Sequence, residues 1–137
     1  MKTLNNIVTL LIILYIVQCV KDPVAINHDS MVVVLDKSNF DDTISVEGRI
    51  AMVEFYSPSC GTCIAMTDIV DSLAKTFHGT ALIAKIDAHV NDSLAEAFRV
   101  ERWPTFIFFK SGLEYNRQIG INSFDDLAAL IQSSIDG

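Results

Sequence analysis

Residues 50–66, IAMVEFYSPSCGTCIAM, constrain the fold more than any other stretch of the chain. IAMVEFYS (50–57) is an apolar run of strand length, broken only by the charge of Glu54. Pro58, Ser59 and Gly61 then force a turn. Ile64, Met66, Ile69, Val70, Leu73, Ala74 and Phe77 follow at helical spacing, and Gly79 ends that helix. A buried strand therefore runs straight into an amphipathic helix, and Cys60 and Cys63 stand at the joint.

The rest of the chain repeats the alternation. MVVVLD (31–36) is a β-branched run of buried type. Ser38 is placed to cap a short helix through Ile44, with Phe40 as its apolar anchor. ALIAKIDA (81–88) is a third strand. Ser93 and Glu96 have capping-box spacing for a short helix through Phe98. TFIFFK (105–110) is a fourth strand, entered from Trp103-Pro104. Ser111-Gly112 turns the chain into LEYNRQIG (113–120), an alternating strand of edge type. Ser123 opens a last helix with Phe124, Leu127, Leu130 and Ile131. The order is βαβαβαββα. Strands joined by helices run parallel, and strands joined by a tight turn run antiparallel. The expected architecture is an α/β domain with a mixed five-stranded sheet and helices on both faces.

The N-terminus reads differently. Lys2 precedes Ile7–Val17, an almost unbroken apolar run (IVTLLIILYIV). It is shorter than the ~20 residues that span a bilayer and has the length of a signal-peptide core. The expectation is a signal peptide over 1–19, cut after Cys19, a short polar leader over 20–30, and one domain over 31–137. A tilted anchor fits the length poorly. A lipoprotein acylated at Cys19 fits poorly with Gln18. The formal net charge is -7, and loss of Lys2 makes it one unit more negative. That excess disfavours nucleic acid and anionic membrane as partners. No stable membrane insertion is expected of the mature chain.

Of the three cysteines, only Cys60 and Cys63 remain after such a cut. They are a staple, half a metal site, or a reacting pair. A bridge closing about four residues contributes roughly 2 kcal/mol in the loop-entropy account, little for a domain of this size. Structural zinc takes four Cys or His ligands, and His28, His78 and His89 lack ligand spacing. No metal and no cofactor is expected beyond a redox-active Cys60–Cys63 disulfide.

Four stretches in order resemble the thioredoxin fold, and within it a single catalytic domain of protein disulfide isomerase. They are VVVLDKSNFDD (32–42), VEFYSPSCGTC (53–63), AKIDAHVNDSLAEAF (84–98) and VERWPTFIFFKSG (100–112). The resemblance covers about 32–135. It departs from the isomerases at Ser59, where they carry Trp, at Thr62, where they carry His, and at Ile64, where they carry Lys. Their Arg near the turn before the last helix has no match at Gly120-Ile121-Asn122, although Arg117 lies upstream. The chain ends SSIDG, without an ER-retention signal.

Roles follow for named residues. Cys60 at a helix N-terminus gains from free N–H groups and the helix dipole, which favour the nucleophilic thiolate. Cys63, one turn in, is suited to resolve a mixed disulfide. Thr62 offers one hydrogen bond and no charge, so the disulfide should be less oxidising than with His; alternatively it simply fits the turn. Gly61 leaves Cys60 accessible. By resemblance, Glu54 is the buried proton acceptor for Cys63, with Lys85 as its relay partner, although a satisfied structural ion pair would look the same in sequence. Pro104 is, by the same resemblance, a cis-proline, exposing the Trp103 backbone to a substrate chain. Trp103 itself is a substrate platform or a core aromatic. Asn91-Asp92-Ser93 is a glycosylation sequon in which Ser93 is already used as a cap.

The expected function is a thiol–disulfide oxidoreductase of the secretory pathway, in the endoplasmic reticulum lumen or secreted. Its partners would be cysteine-containing proteins or peptides and a redox donor or acceptor. A non-enzymatic, chaperone-like binding module built on the same fold is the alternative.

Overall fold

The computed structural model describes residues 30–137. The expected signal peptide, its cut site and nearly all of the leader lie outside the described residues. The elements are β1 (Val33–Val34), α1 (Phe40–Ile44), β2 (Ile50–Tyr56), α2 (Gly61–Thr76), β3 (Leu82–Asp87), α3 (Asp92–Ala97), β4 (Thr105–Lys110), β5 (Leu113–Ile119) and α4 (Phe124–Asp136). The five strands form one sheet in the order β1-β3-β2-β4-β5. β3 is parallel to β1 and β2, and β4 is antiparallel to β2 and β5. This is the mixed sheet expected from the chain order, with the thioredoxin-like α/β topology.

β2 lies at the centre because its sequence has no solvent face: Ile50 through Phe55 are all buried. Side chains alternate across the sheet. Ile50 and Met52 join Met66, Val70, Leu73, Phe106, Phe108, Leu127 and Ile131 in a core beneath α2 and α4. Ala51, Val53 and Phe55 join Phe40, Ile44, Ala95, Ile107 and Phe109 beneath α1 and α3. Phe98 seals the second core, with ring centroids 5.2 Å from Phe40 and 5.5 Å from Phe109. The same alternation puts Glu54 on the α2 face, which fixes the site described below.

Three local expectations are corrected. The run 31–36 yields a strand of two residues, with Val33 and Val34 exposed at the sheet edge and Val32 and Leu35 turned inward. Ser38 does not cap α1. Its N–H and hydroxyl both bond to Asp36 Oδ1, and Asn39 takes the cap position. The capping box at Ser93 and Glu96 is absent, because α3 starts at Asp92 with Asn91 in the cap position, two residues earlier than a Ser93 cap requires, and Ser93 lies inside its first turn. Ser123 does cap α4, accepting from Asp126 N–H at 3.2 Å. Gly112 in the β4–β5 turn has φ +79°, and a Cβ there would meet Ser45 Oγ at 2.8 Å. No helix among the described residues is long and apolar enough to cross a membrane.

Candidate active site

The end of β2 delivers the chain through Ser57-Pro58-Ser59 to Cys60, which is the N-cap of α2 with extended φ and ψ of -85° and 112°. The turn is held by the Cys60 N–H donating to the Ser57 carbonyl at 3.1 Å. Cys60 Sγ takes the place of a capping oxygen and accepts from Cys63 N–H at 3.3 Å. Both cysteines are free thiols, Cys60 half-buried and Cys63 buried. A Cβ at Gly61 would meet nothing within 4 Å, so that position opens onto solvent beside Cys60.

Two chemically identical thiols are thereby made different. Burial opposes ionisation of Cys60. Hydrogen bonds from the Cys63 and Thr62 side chains, and from the backbone N–H groups of Cys63 and Thr62, outweigh it and hold the thiol below its ordinary pKa. Burial pushes Cys63 up to about 12, helped by its hydrogen bond to Cys60 and by the charges of Cys60 and Glu54. One sulfur thus ionises more readily than an ordinary thiol, and the other holds its proton more firmly.

Thr62 and Trp103 complete the rim. Thr62 Oγ1 lies 3.0 Å from Cys60 Sγ and 3.4 Å from the Trp103 carbonyl, and Cys60 Sγ is 3.7 Å from that same carbonyl. The Trp103-Pro104 peptide bond is cis. The Trp103 side chain is 42% exposed, which makes it a rim residue rather than a core aromatic. The Pro104 carbonyl accepts from Gly120 N–H at 2.8 Å, tying the loop to the end of β5.

Behind the sulfurs lies a cleft of about 200 Å³, lined in part by Cys63, Glu54, Lys85, Thr67, Asp71 and Tyr56. Glu54 is 4% exposed, and its Oε1 has no hydrogen-bond partner. Burial pushes its pKa up to about 7, with Lys85 pulling it down and Asp71 pushing it further up. Lys85 stands in register with Glu54 on the neighbouring strand, but its Nζ lies 5.7 Å from the centre of the Tyr56 ring. The single ion pair among the described residues joins Arg117 to Glu114 at 2.8 Å. Glu54 is therefore not one half of a satisfied ion pair. It is a buried acid facing the cleft that Cys63 also faces.

Asp71 is the site residue that the sequence reading missed. Cys63, Thr67 and Asp71 recur every four residues on α2, one helical stripe, and all three line the cleft. That spacing was available in the sequence. Ser30 Oγ donates to Asp71 Oδ1 at 3.0 Å, so the chain just before β1 reaches the same cleft.

The Thioredoxin family model matches residues 31–133. A thioredoxin of Staphylococcus saprophyticus is 33% identical over 104 residues, 76% of this chain and 98% of that protein. Protein disulfide-isomerase A4 of Homo sapiens is 35% identical over 96 residues, which is 69% of this chain but only 15% of that protein. A solved thioredoxin from Halobacterium salinarum has a TM-score of 0.70 at 30% identity, covering 78% of this chain and 92% of that one. The described domain has the span of a whole thioredoxin and of a small part of an isomerase. Half-buried Cys60, buried Cys63 and the acid Glu54, with one carboxyl oxygen unpartnered, all fall within the matched residues 31–133, and the chain belongs to the thioredoxin family of thiol–disulfide oxidoreductases.

Proposed function

We propose that the protein exchanges disulfides with cysteine-containing protein substrates of the secretory pathway through Cys60 and Cys63. The observation that carries this is the asymmetry of the two sulfurs: Cys60 capped and accessible beside the Trp103 carbonyl, Cys63 buried over Glu54. The apolar run Ile7–Val17 supports the compartment. The Cys60 thiolate attacks one sulfur of a substrate disulfide and displaces the other as a thiolate. Cys63 gives its proton to the Glu54 carboxylate across the cleft and attacks Cys60 Sγ. The second substrate sulfur leaves, the substrate has gained two electrons, and the Cys60–Cys63 disulfide has lost them. A dithiol donor resets the pair for reduction; run backwards, the same steps oxidise a substrate dithiol. An isomerase role needs the mixed disulfide to survive long enough to reshuffle, and the Gly61-Thr62 pair weighs toward simple exchange.

The test is reduction of insulin by dithiothreitol. Wild type should accelerate it and Cys60→Ser should not. Equal rates would leave a binding module whose exposed Trp103 holds partner chains without redox chemistry.

A further inference from the structure

Two donors and one carbonyl meet at the rim of the site. Thr62 carries a single hydroxyl hydrogen and has two acceptors in reach, Cys60 Sγ at 3.0 Å and the Trp103 carbonyl at 3.4 Å. The Cys60 thiol carries one hydrogen and has the same carbonyl at 3.7 Å. These are the only donors to the Trp103 carbonyl among the described residues.

We infer that Thr62 is a proton-counting switch, coupling ionisation of Cys60 to the docking of an extended peptide on the Trp103 carbonyl. With Cys60 protonated, the S–H donates to Thr62 Oγ1 or to the carbonyl, and Thr62 donates to the carbonyl. One or both of the carbonyl's two lone pairs are then engaged by the protein's own donors. With Cys60 ionised, the only hydrogen left in the triangle is that of Thr62. The sulfur anion is the stronger acceptor and takes it at the shorter of the two distances. The carbonyl then has no donor from the protein and is open to a backbone N–H of a substrate strand. Trp103 is 42% exposed, so this residue presents surface at the rim where such a strand would lie.

The reactive state and the binding state are therefore the same state. By linkage, a docked peptide must lower the Cys60 pKa by the factor by which ionisation tightens the peptide. Substrates with a backbone amide beside their disulfide gain from the switch, and small disulfides without an amide do not. This rests on the proposed exchange with protein substrates and deepens it.

Other titrating groups must be kept apart from this effect. Cys63 bonds Cys60 from α2. Glu54 of β2, Lys85 of β3 and Asp71 of α2 face the cleft behind it. Glu101 and Arg102 lie exposed on the segment before Trp103. Of these only Cys63 is hydrogen-bonded to Cys60, and the Glu54→Gln background removes the carboxyl closest to neutral pH from the profile.

Trp103 is the chain's only tryptophan, so its fluorescence reports the site directly. The probe is an extended peptide with serine at the reactive cysteine, which binds without reacting. It is titrated into the fully reduced protein across the Cys60 transition, in wild type and in the Glu54→Gln background. Thiolate absorbance follows Cys60 with and without saturating peptide. The dissociation constant should fall about fivefold through the transition, the size of one net hydrogen bond. The Cys60 pKa should fall by the matching factor. Thr62→Ser should keep both effects, and Thr62→Val should lose both. N-methylation of one peptide amide should abolish the pH dependence in wild type. Affinity that is flat with pH in wild type, binding undetectable at every pH, or an unchanged dependence in Thr62→Val overturns the switch. Insulin reduction by the same wild-type sample shows separately whether the exchange activity itself holds.

Discussion

Glu54 and Lys85 face each other in register on parallel strands, yet the Glu54 carboxyl keeps one oxygen without a hydrogen-bond partner. An acid buried this way is costly to ionise and cheap to protonate. That is the property needed in a group that must take a proton from a thiol whose pKa is pushed up to about 12 and later give it back.

Glu54→Gln should therefore slow the second step, release of substrate from the mixed disulfide, and leave the first attack by Cys60 largely intact. In wild type the resolving step should quicken as pH rises through about 7, where Glu54 ionises. The variant should lack that inflection, and the gap between the two should close at high pH, where Cys63 ionises unaided. Single-turnover kinetics with a trapped mixed disulfide reads this. Wild-type resolution at neutral pH in the variant would reduce Glu54 to a structural role.

The same carboxyl makes a stability prediction of opposite tendency to an ordinary salt-bridged acid. Its pKa is raised in the fold, from 4.5 to about 7. Between those values the native state holds a proton that the unfolded chain has lost. Stability should thus fall as pH rises across this window and stay level outside it. At ~1.4 kcal/mol per unit the whole effect is of order 3 kcal/mol. Denaturant unfolding of the oxidised protein should show the slope in wild type and lose it in Glu54→Gln.

Cys60 should alkylate well before Cys63 in the reduced protein, and at a pH below that of an ordinary thiol, because hydrogen bonds from its neighbours favour its anion while burial suppresses that of Cys63. Peptide mapping after a short iodoacetamide pulse distinguishes them. Equal labelling, or labelling first at Cys63, would remove the nucleophile assignment.

Much of this site was legible in the sequence, and the reason is local. Strand β2, the turn, α2 and the Cys60 cap follow one another within a short stretch, so apolar pattern and turn chemistry were enough to lay them out. What pattern could not supply was competition for hydrogen bonds between distant parts of the chain. Asn91 Oδ1 accepts from Lys37 N–H at 3.2 Å, 54 residues away, while its Nδ2 donates to the Asp87 carbonyl at 3.0 Å. That pins the residue before α3 and leaves Ser93 without the capping role its spacing suggests. Asp36 likewise captures Ser38 before it can cap α1. The relation of Glu54 to Lys85 was visible as a pair of types, but their failure to form an ion pair depends on where the Lys85 amine comes to rest, over Tyr56.

The placement of Asn91 decides the sequon. Its side chain is 7% exposed with both its oxygen and its amide nitrogen engaged, so a glycan cannot be carried there without loss of those contacts. Protein expressed through a eukaryotic secretory route should show no mass added at Asn91. Asn91→Ala should destabilise the fold by about 1–3 kcal/mol, since buried partners are left unpaired. A glycan at this residue in folded, active protein would contradict the packing of the 87–91 turn.

Thr62 sets the remaining prediction, because its hydroxyl lies 3.0 Å from Cys60 Sγ and brings no charge. Thr62→His would put a cation beside the sulfur at the helix start when the imidazole is protonated. A cation stabilises the Cys60 thiolate in the reduced form and has no anion to meet in the disulfide. The reduced form gains, so the couple should become more oxidising. For two electrons ~30 mV corresponds to ~1.4 kcal/mol, about one charge-assisted hydrogen bond. A shift of tens of millivolts is expected from glutathione equilibration, with a lower Cys60 pKa and faster recovery of a scrambled substrate. The substitution also removes the hydroxyl from the Trp103 carbonyl, so the gain in oxidising power should come with a loss of the pH-linked peptide binding argued above. An unchanged or more reducing potential would move control of the redox poise away from Thr62, to Ser59 in the turn or to the unmatched arginine position at Gly120-Ile121-Asn122.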